Sequence, residues 1–236
     1  MNLPTVIEIQ NKFKDFFSGL TFIEETHKYF IDGEPVKISV SGKYGKYGEK
    51  FNAEQKAISV ANRTGQSVET VLKEWKAAGD KAIAIGNAAH KFGELYPFNR
   101  NLKPKSKYDK AIVKFWESLP SHITVVCTEL MMYHKQHKYA GTADIILYNT
   151  KTGKFIIGDY KTNKDLHKNF KNQKLLGPFR NILDTPLNKY KLQLSYYQIL
   201  LEQIPGVEVS HRKIISIKPD ATYEIFNCED YTKYLD

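Results

Sequence analysis

The sequence predicts an α/β fold with a central mixed β-sheet flanked by helices and a helical N-terminal half. Three observations carry that expectation. Apolar residues recur at helical spacing in pieces through 51–96 and again at 106–118. Three segments rich in β-formers follow one another at 122–133, 138–148 and 154–161. A helix at 188–204 and returning strands at 207–217 and 222–227 complete a pattern that layers helices on a sheet.

Each element has a local reason. Residues 1–20 read as a short helix with Phe13, Phe16 and Phe17 on its apolar side, and 21–41 as a hairpin turning at Asp32-Gly33. Lys43-Tyr-Gly-Lys-Tyr-Gly-Glu-Lys50 is expected to be a glycine-punctuated loop, either a flexible connector or a surface whose lysines and tyrosines contact a ligand. The helical stretch that follows divides into 52–63, 67–78 and 80–95, with breaks at Gly65 and Gly79. Gly86, Ala89, His90 and Gly93 suggest that its last piece packs close to another element, and His90 and Glu94 share a face. The 106–118 helix turns Ile112, Phe115, Trp116 and Leu119 inward and ends at Pro120. In the helix at 188–204, Asn188 is the expected cap and Leu192, Ser195, Tyr196, Ile199 and Leu200 the buried stripe, with Gln193 and Tyr197 on a neighbouring face.

The 236 residues, 42% hydrophobic, suffice for a sizeable core and are read as one domain, 1–236. Its first part, 1–120, is a hairpin and mainly helices; its second, 121–236, is the sheet with flanking helices. The net charge of +9 suits a polyanionic partner, although a soluble lysine-rich surface has the same composition. Lys161, Lys164, Lys168, Lys171, Lys174 and Arg180, with Phe170 and Phe179 interspersed, form either a nucleic-acid track or a solvated loop. The two cysteines, Cys127 and Cys228, have no metal spacing and imply no disulfide framework. No apolar run reaches the roughly 18 residues of a membrane span, so no membrane partner is expected. The N-terminus lacks the features of a signal or transit peptide, which leaves the cytoplasm as the expected location.

The chemistry concentrates in one hairpin. Gly141-Thr-Ala-Asp144 is followed by Asp159-Tyr-Lys161, and the turn signal Asn149-Thr-Lys-Thr-Gly153 lies between. A loop centred on Lys151 and Thr152 pairs Asn149 with Lys154, and the same register carried along the strands sets Asp144 opposite Asp159. Opposed residues share a face. Lys161, two positions past Asp159, joins them. Two carboxylates and an amine so gathered can hold Mg²⁺ or Mn²⁺ against a phosphodiester, with imidazole a further ligand suited to Mn²⁺. His90 is the candidate imidazole. Gln193 and Tyr197 are candidates for hydrogen bonding to the site or the substrate. An ordinary surface hairpin with an Asp–Lys cross-strand pair would carry the same tripeptide.

In this order, His90, Asp144, Asp159-x-Lys161 and Gln193-x-x-x-Tyr197 resemble the PD-(D/E)XK nuclease superfamily, most of all its RecB-like exonuclease branch, which includes phage and mitochondrial genome-maintenance exonucleases. The resemblance spans roughly residues 22–217. It includes the glycine before the histidine in Gly86-Asn-Ala-Ala-His90, Gly-x-x before Asp144, and Gly158-Asp-Tyr-Lys-Thr162. The N-terminal hairpin Thr26-His-Lys-Tyr-Phe-Ile-Asp-Gly-Glu-Pro-Val resembles phage members, although Ser39-Val-Ser41 only approximates the segment that follows it there. The resemblance implies a restriction-endonuclease-like core and a metal-dependent deoxyribonuclease, an exonuclease acting in phage or host DNA replication, recombination or repair. It makes His90, Asp144 and Asp159 metal ligands, with the Tyr160 carbonyl a further one, and Lys161 the catalytic lysine. Glu129, on the strand before the first acid, would be auxiliary together with Gln193 and Tyr197. DNA, single-stranded or with a free end, would be the substrate, with replication or recombination proteins as partners and the host cytoplasm as location if the gene is a phage's. Some relatives hold an iron–sulfur cluster through four cysteines; two cysteines cannot do so. A flap or structure-specific endonuclease of the same fold, and a catalytically inactive nucleic-acid-binding module, remain alternatives.

Overall fold

The structure, a computed structural model, describes residues 3–235; the first two residues of the expected N-terminal helix lie outside them. Helix α1 (Val6–Phe16) starts at a reciprocal cap, in which the Thr5 hydroxyl accepts the Glu8 amide N–H and the Glu8 carboxylate accepts the Thr5 N–H. Its Phe13 is buried with Phe17, while Phe16 is half-buried at the core's margin. Strands β1 (Leu20–Ile23), β2 (Lys28–Ile31) and β3 (Glu34–Pro35) form a small antiparallel sheet. Its second turn is Asp32-Gly33, both at positive φ (52° and 84°), the backbone a two-residue hairpin loop requires.

After β4 (Ile38–Ser39) the expected loop is in part a helix, α2 (Val40–Gly45). Ser39 caps it by accepting the Gly42 N–H, and Val40 is fully buried, so packing overrides the glycines. Tyr47 is buried as well. Helix α3 (Ala53–Thr64) ends at Gly65 in the left-handed region (φ 72°) as expected. The break expected at Gly79 is absent: α4 runs unbroken over Val68–Leu95. An interior glycine costs a helix about 1 kcal/mol relative to alanine, too little to end one of 28 residues. Helix α5 (Lys107–Glu117) has a second reciprocal cap, Ser106 with Asp109, and buries Ile112, Phe115 and Trp116.

Strands β5 (Ile123–Tyr133), β6 (Tyr139–Asn149), β7 (Lys154–Lys161), β8 (Val209–Ile217) and β9 (Tyr223–Cys228) join β4 in a six-stranded mixed sheet. The order is β4-β6-β7-β8-β9, with β5 on the other edge of β6. The β7–β8 and β4–β6 pairs are parallel and the rest antiparallel. Helix α6 (Pro186–Leu201) is capped by Thr185, whose hydroxyl accepts the Asn188 N–H, so Asn188 is the donor in this cap and not the cap itself. Ten of its sixteen residues are buried, more than the expected stripe alone, which makes α6 a central helix.

Alternation along the strands divides the core into two layers. Ile146, Tyr148, Phe155 and Ile157 face α1 and α6, while Ile145, Leu147, Ile156 and Tyr160 face α4 and α5. The lysine-rich connector 162–185 is anchored by Leu166, Leu175 and Phe179 in the first layer. Phe179 is 2% exposed, with its ring against Tyr47, so it is a core residue and has no face to offer a base. Phe170 is half-exposed. Among the described residues no helix is long and apolar enough to cross a membrane.

Candidate metal centre

The hairpin register follows from its loop. Asn149 pairs with Lys154, its side chain accepts the Lys151 N–H, and the β6–β7 pairing runs to Ile145↔Gly158. The next step would be Asp144 and Asp159, and there the ladder stops. On that same edge β6 is next engaged at Tyr139 and Ala140, by β4. Between them, Gly141–Asp144 borders an opening in the sheet, and the Asp144 carboxylate takes over where backbone pairing ends: its Oδ2 accepts the Tyr160 N–H at 2.8 Å. The carbonyl of an extended residue leaves the chain on the side of its N–H, so the Tyr160 carbonyl faces the same opening. The Tyr160 ring is core.

Two close approaches shape the opening. A Cβ on Gly141 would stand 2.7 Å from Val40 Cγ2 and 2.9 Å from Tyr197 Cε1, so only glycine lets α2 and α6 come this near β6. A Cβ on Gly93 would stand 2.4 Å from Tyr160 Cε2, which sets α4 down on β7, as the small residues around His90 suggest. His90 then reaches through the opening to place Nδ1 3.2 Å from Asp144 Oδ2.

Strand β5 supplies the third donor. Its register with β6 shifts by one residue between Val125 and Cys127, and beyond the bulge Thr128 pairs with Ile145 and Leu130 with Ala143. Glu129 therefore lies opposite Asp144. Its φ of 49° is a left-handed conformation that a glutamate in a strand adopts only under constraint, at a cost of about 1–3 kcal/mol. One donor atom each from His90, Glu129 and Asp144 lies within 4.8 Å of the others. Asp159 is not in that trio. It is 1% exposed and its Oδ2 is 2.5 Å from Lys161 Nζ, which also sits 4.3 Å from the Tyr190 ring centroid.

The charges are strongly coupled. Burial would push the His90 imidazole down, but Asp144 overrides it and raises it to about 9. Burial and the neighbouring Asp144 raise Glu129 to about 7 and Asp159 to about 6. Asp144, whose burial acts the other way, is held below the usual carboxylate range by His90 and Lys161. Burial would also discharge Lys161, but Asp159 and Asp144 keep its ammonium charged. Three acids and one imidazole in so small a volume, beside one ammonium, suit a hard divalent ion: it would replace the proton held at His90 and relieve the crowding of carboxylates.

Gln193 and Tyr197 are both buried on α6, where the Gln193 amide donates to the Tyr197 hydroxyl at 3.0 Å. Burial raises the Tyr197 phenol well above its ordinary value, and Asp159 and Asp144 push it further the same way. Gln193 Oε1 is buried with no hydrogen-bond partner among the described residues. Three tyrosines border the site, and of these only Tyr44, within Lys43–Lys50, has an expected role from sequence. The Tyr29 hydroxyl, from the N-terminal hairpin, is 2.8 Å from Thr142 Oγ1; Tyr44 and Tyr190 flank Lys161. Tyr190, three residues before Gln193 on the same helix, is the one that helical spacing could have found.

No family model matches the chain, and no curated protein matches it.

Proposed function

We propose that the protein is a divalent-metal-dependent nuclease that hydrolyses DNA phosphodiesters, working as an exonuclease. The observation that carries the hydrolytic reading is the convergence of His90, Glu129 and Asp144 donor atoms beside the Asp159–Lys161 pair, at the opening of the sheet. The resemblance of the motif order to the PD-(D/E)XK superfamily supports it further, and contributes the choice of DNA, of strand ends, of a restriction-endonuclease-like core, and of replication or recombination proteins as partners.

A bound Mg²⁺ or Mn²⁺ supplies polarisation of the phosphate and a lowered pKa for an attacking water. His90, Glu129 and Asp144 would hold the ion, with the Tyr160 carbonyl facing the same opening. Lys161 remains charged, so it acts as a hydrogen-bond donor to the attacking oxygen or to a phosphate oxygen and not as a base. Asp159 fixes the Lys161 ammonium, and burial together with Asp144 pushes its own carboxyl up to about 6. The Gln193–Tyr197 pair lies beside these carboxylates and offers Oε1 as an acceptor.

The test compares end-labelled linear single-stranded DNA with a covalently closed single-stranded circle, in Mg²⁺, Mn²⁺ or EDTA, with Asp144→Ala alongside. Metal-dependent loss of the linear strand alone is expected. Loss of both would make the enzyme an endonuclease. Full activity in a folded Asp144→Ala protein, or no cleavage of single- or double-stranded DNA or RNA with any divalent ion, overturns the assignment.

A further inference from the structure

A cleft of about 980 Å³ lies between α3 and the connector 162–185, and its inner end reaches Tyr190, the ring that carries Lys161. Tyr44, Asn163 and Tyr190 line that end. Tyr190 carries the Lys161 ammonium over its ring, and its hydroxyl donates to Asn163. Further out, the walls combine flat rings with positive charge. Phe51 is 70% exposed and Phe170 51%. Phe51 is 6.0 Å from the half-buried Trp75, and Lys56 stands 4.5 Å over the Phe170 ring. Lys50, Lys56, Arg63, Lys168 and Lys189 line the cleft against two acids, Glu49 and Asp184, and Asp184 is paired with Lys189 at 2.7 Å.

Exposed rings within a basic cleft have little to offer a duplex, whose bases turn their faces to one another. They suit unpaired bases, which stack on aromatic faces while the backbone follows the cations. We infer that this cleft is the seat of a single-stranded polynucleotide, with Phe51, Trp75 and Phe170 as its stacking platform and its path ending at Lys161. What happens to the strand at Lys161 rests on the proposed nuclease function; the binding does not.

Binding is read in EDTA from the quenching of Trp75 by oligo(dT), oligo(rU) and a blunt duplex. The other tryptophan, Trp116, is 3% exposed, so a quench reports the cleft. Single strands are expected to quench and the duplex to bind more weakly, with the two oligomers deciding between DNA and RNA. Phe51→Ala and Phe170→Ala remove exposed rings and should each weaken single-strand binding roughly tenfold, read by anisotropy of a labelled strand, with melting unchanged. Unchanged affinity in both variants, or equal affinity for duplex, overturns the cleft assignment even if the protein cleaves DNA. Phenylalanine-dependent binding in a protein that cleaves nothing supports the cleft and sinks the nuclease.

Discussion

Asp144 Oδ2 is shared: it accepts the Tyr160 N–H at 2.8 Å and lies 3.2 Å from His90 Nδ1. One oxygen thus joins the opening of the sheet to α4. Asp144→Asn keeps an oxygen for the amide but loses the charge that attracts His90 and an ion. In the parent protein, Mn²⁺ at about 100 times its Kd should stabilise the fold by about 2.7 kcal/mol. Thermal melts should show that rise in the parent and none in Asp144→Asn.

In EDTA the same cluster sets a pH slope. His90, raised to about 9 from 6.5, gives stability that is full below about pH 6.5 and lost as pH rises through about 9. Glu129 and Asp159 are acids raised to about 7 and about 6, so the folded chain keeps protons that the unfolded chain has released. Their contribution also falls as pH rises above about 4. The three slopes share one sign, and the melting temperature of the metal-stripped protein should fall from about pH 5 to about pH 9. Mn²⁺ competes with those protons and should flatten the upper part. A melting temperature that climbs across this range in EDTA contradicts the cluster.

Lys161→Met keeps the stem and removes the charge that faces Asp159. A buried pair broken on one side costs about 3–5 kcal/mol. The loss should lie at the lower end, because Asp159 can take up a proton. Urea titration of the single variants and of Asp159→Asn/Lys161→Met should show the double variant more stable than Lys161→Met alone. All three should be inactive.

Two glycines of α4 should respond oppositely to alanine. Gly79 has open space where a Cβ would go, so Gly79→Ala should stabilise by about 0.5–1 kcal/mol. Gly93→Ala would drive a methyl into the Tyr160 ring and should destabilise by about 1–3 kcal/mol despite the same gain in helix propensity. Chemical denaturation of the two variants gives the signs directly.

Tyr197→Phe removes the acceptor of the Gln193 amide and leaves that amide buried without it. A cost of about 1–3 kcal/mol is expected. If Gln193 is oriented by Tyr197 for substrate, kcat should fall in Tyr197→Phe while metal affinity measured by calorimetry stays unchanged. Unchanged kcat with reduced stability would assign the pair a structural role alone.

Local chemistry made much of this readable in advance. Asn149 and Gly153 close a loop of fixed length, and that length sets the β6–β7 register up to the two acids. Side-chain period and turn residues placed the strands and most helices. Where local signals misled, the energies were small beside tertiary ones: Gly79 costs less than α4 gains, and Val40, buried against Gly141, holds α2 helical.

The donor set itself was decided by tertiary structure. Without the bulge at Val126, Thr128 and not Glu129 would oppose Asp144. Nothing in Cys127-Thr-Glu-Leu-Met131 announces a one-residue shift set on a neighbouring strand, because register is a property of the pair and a single slip turns every side chain over. Likewise Asp144, Asp159 and Lys161 could be grouped from sequence, but their division could not. Asp144 joins His90 and Glu129 while Asp159 pairs with Lys161, because the ladder ends at Ile145↔Gly158 and α4, seated by Gly93 on Tyr160, delivers His90 through the gap. The sequence alone determined which groups were present and which strands carried them; the packing of α4 and β5 against the open hairpin decided which of them meet.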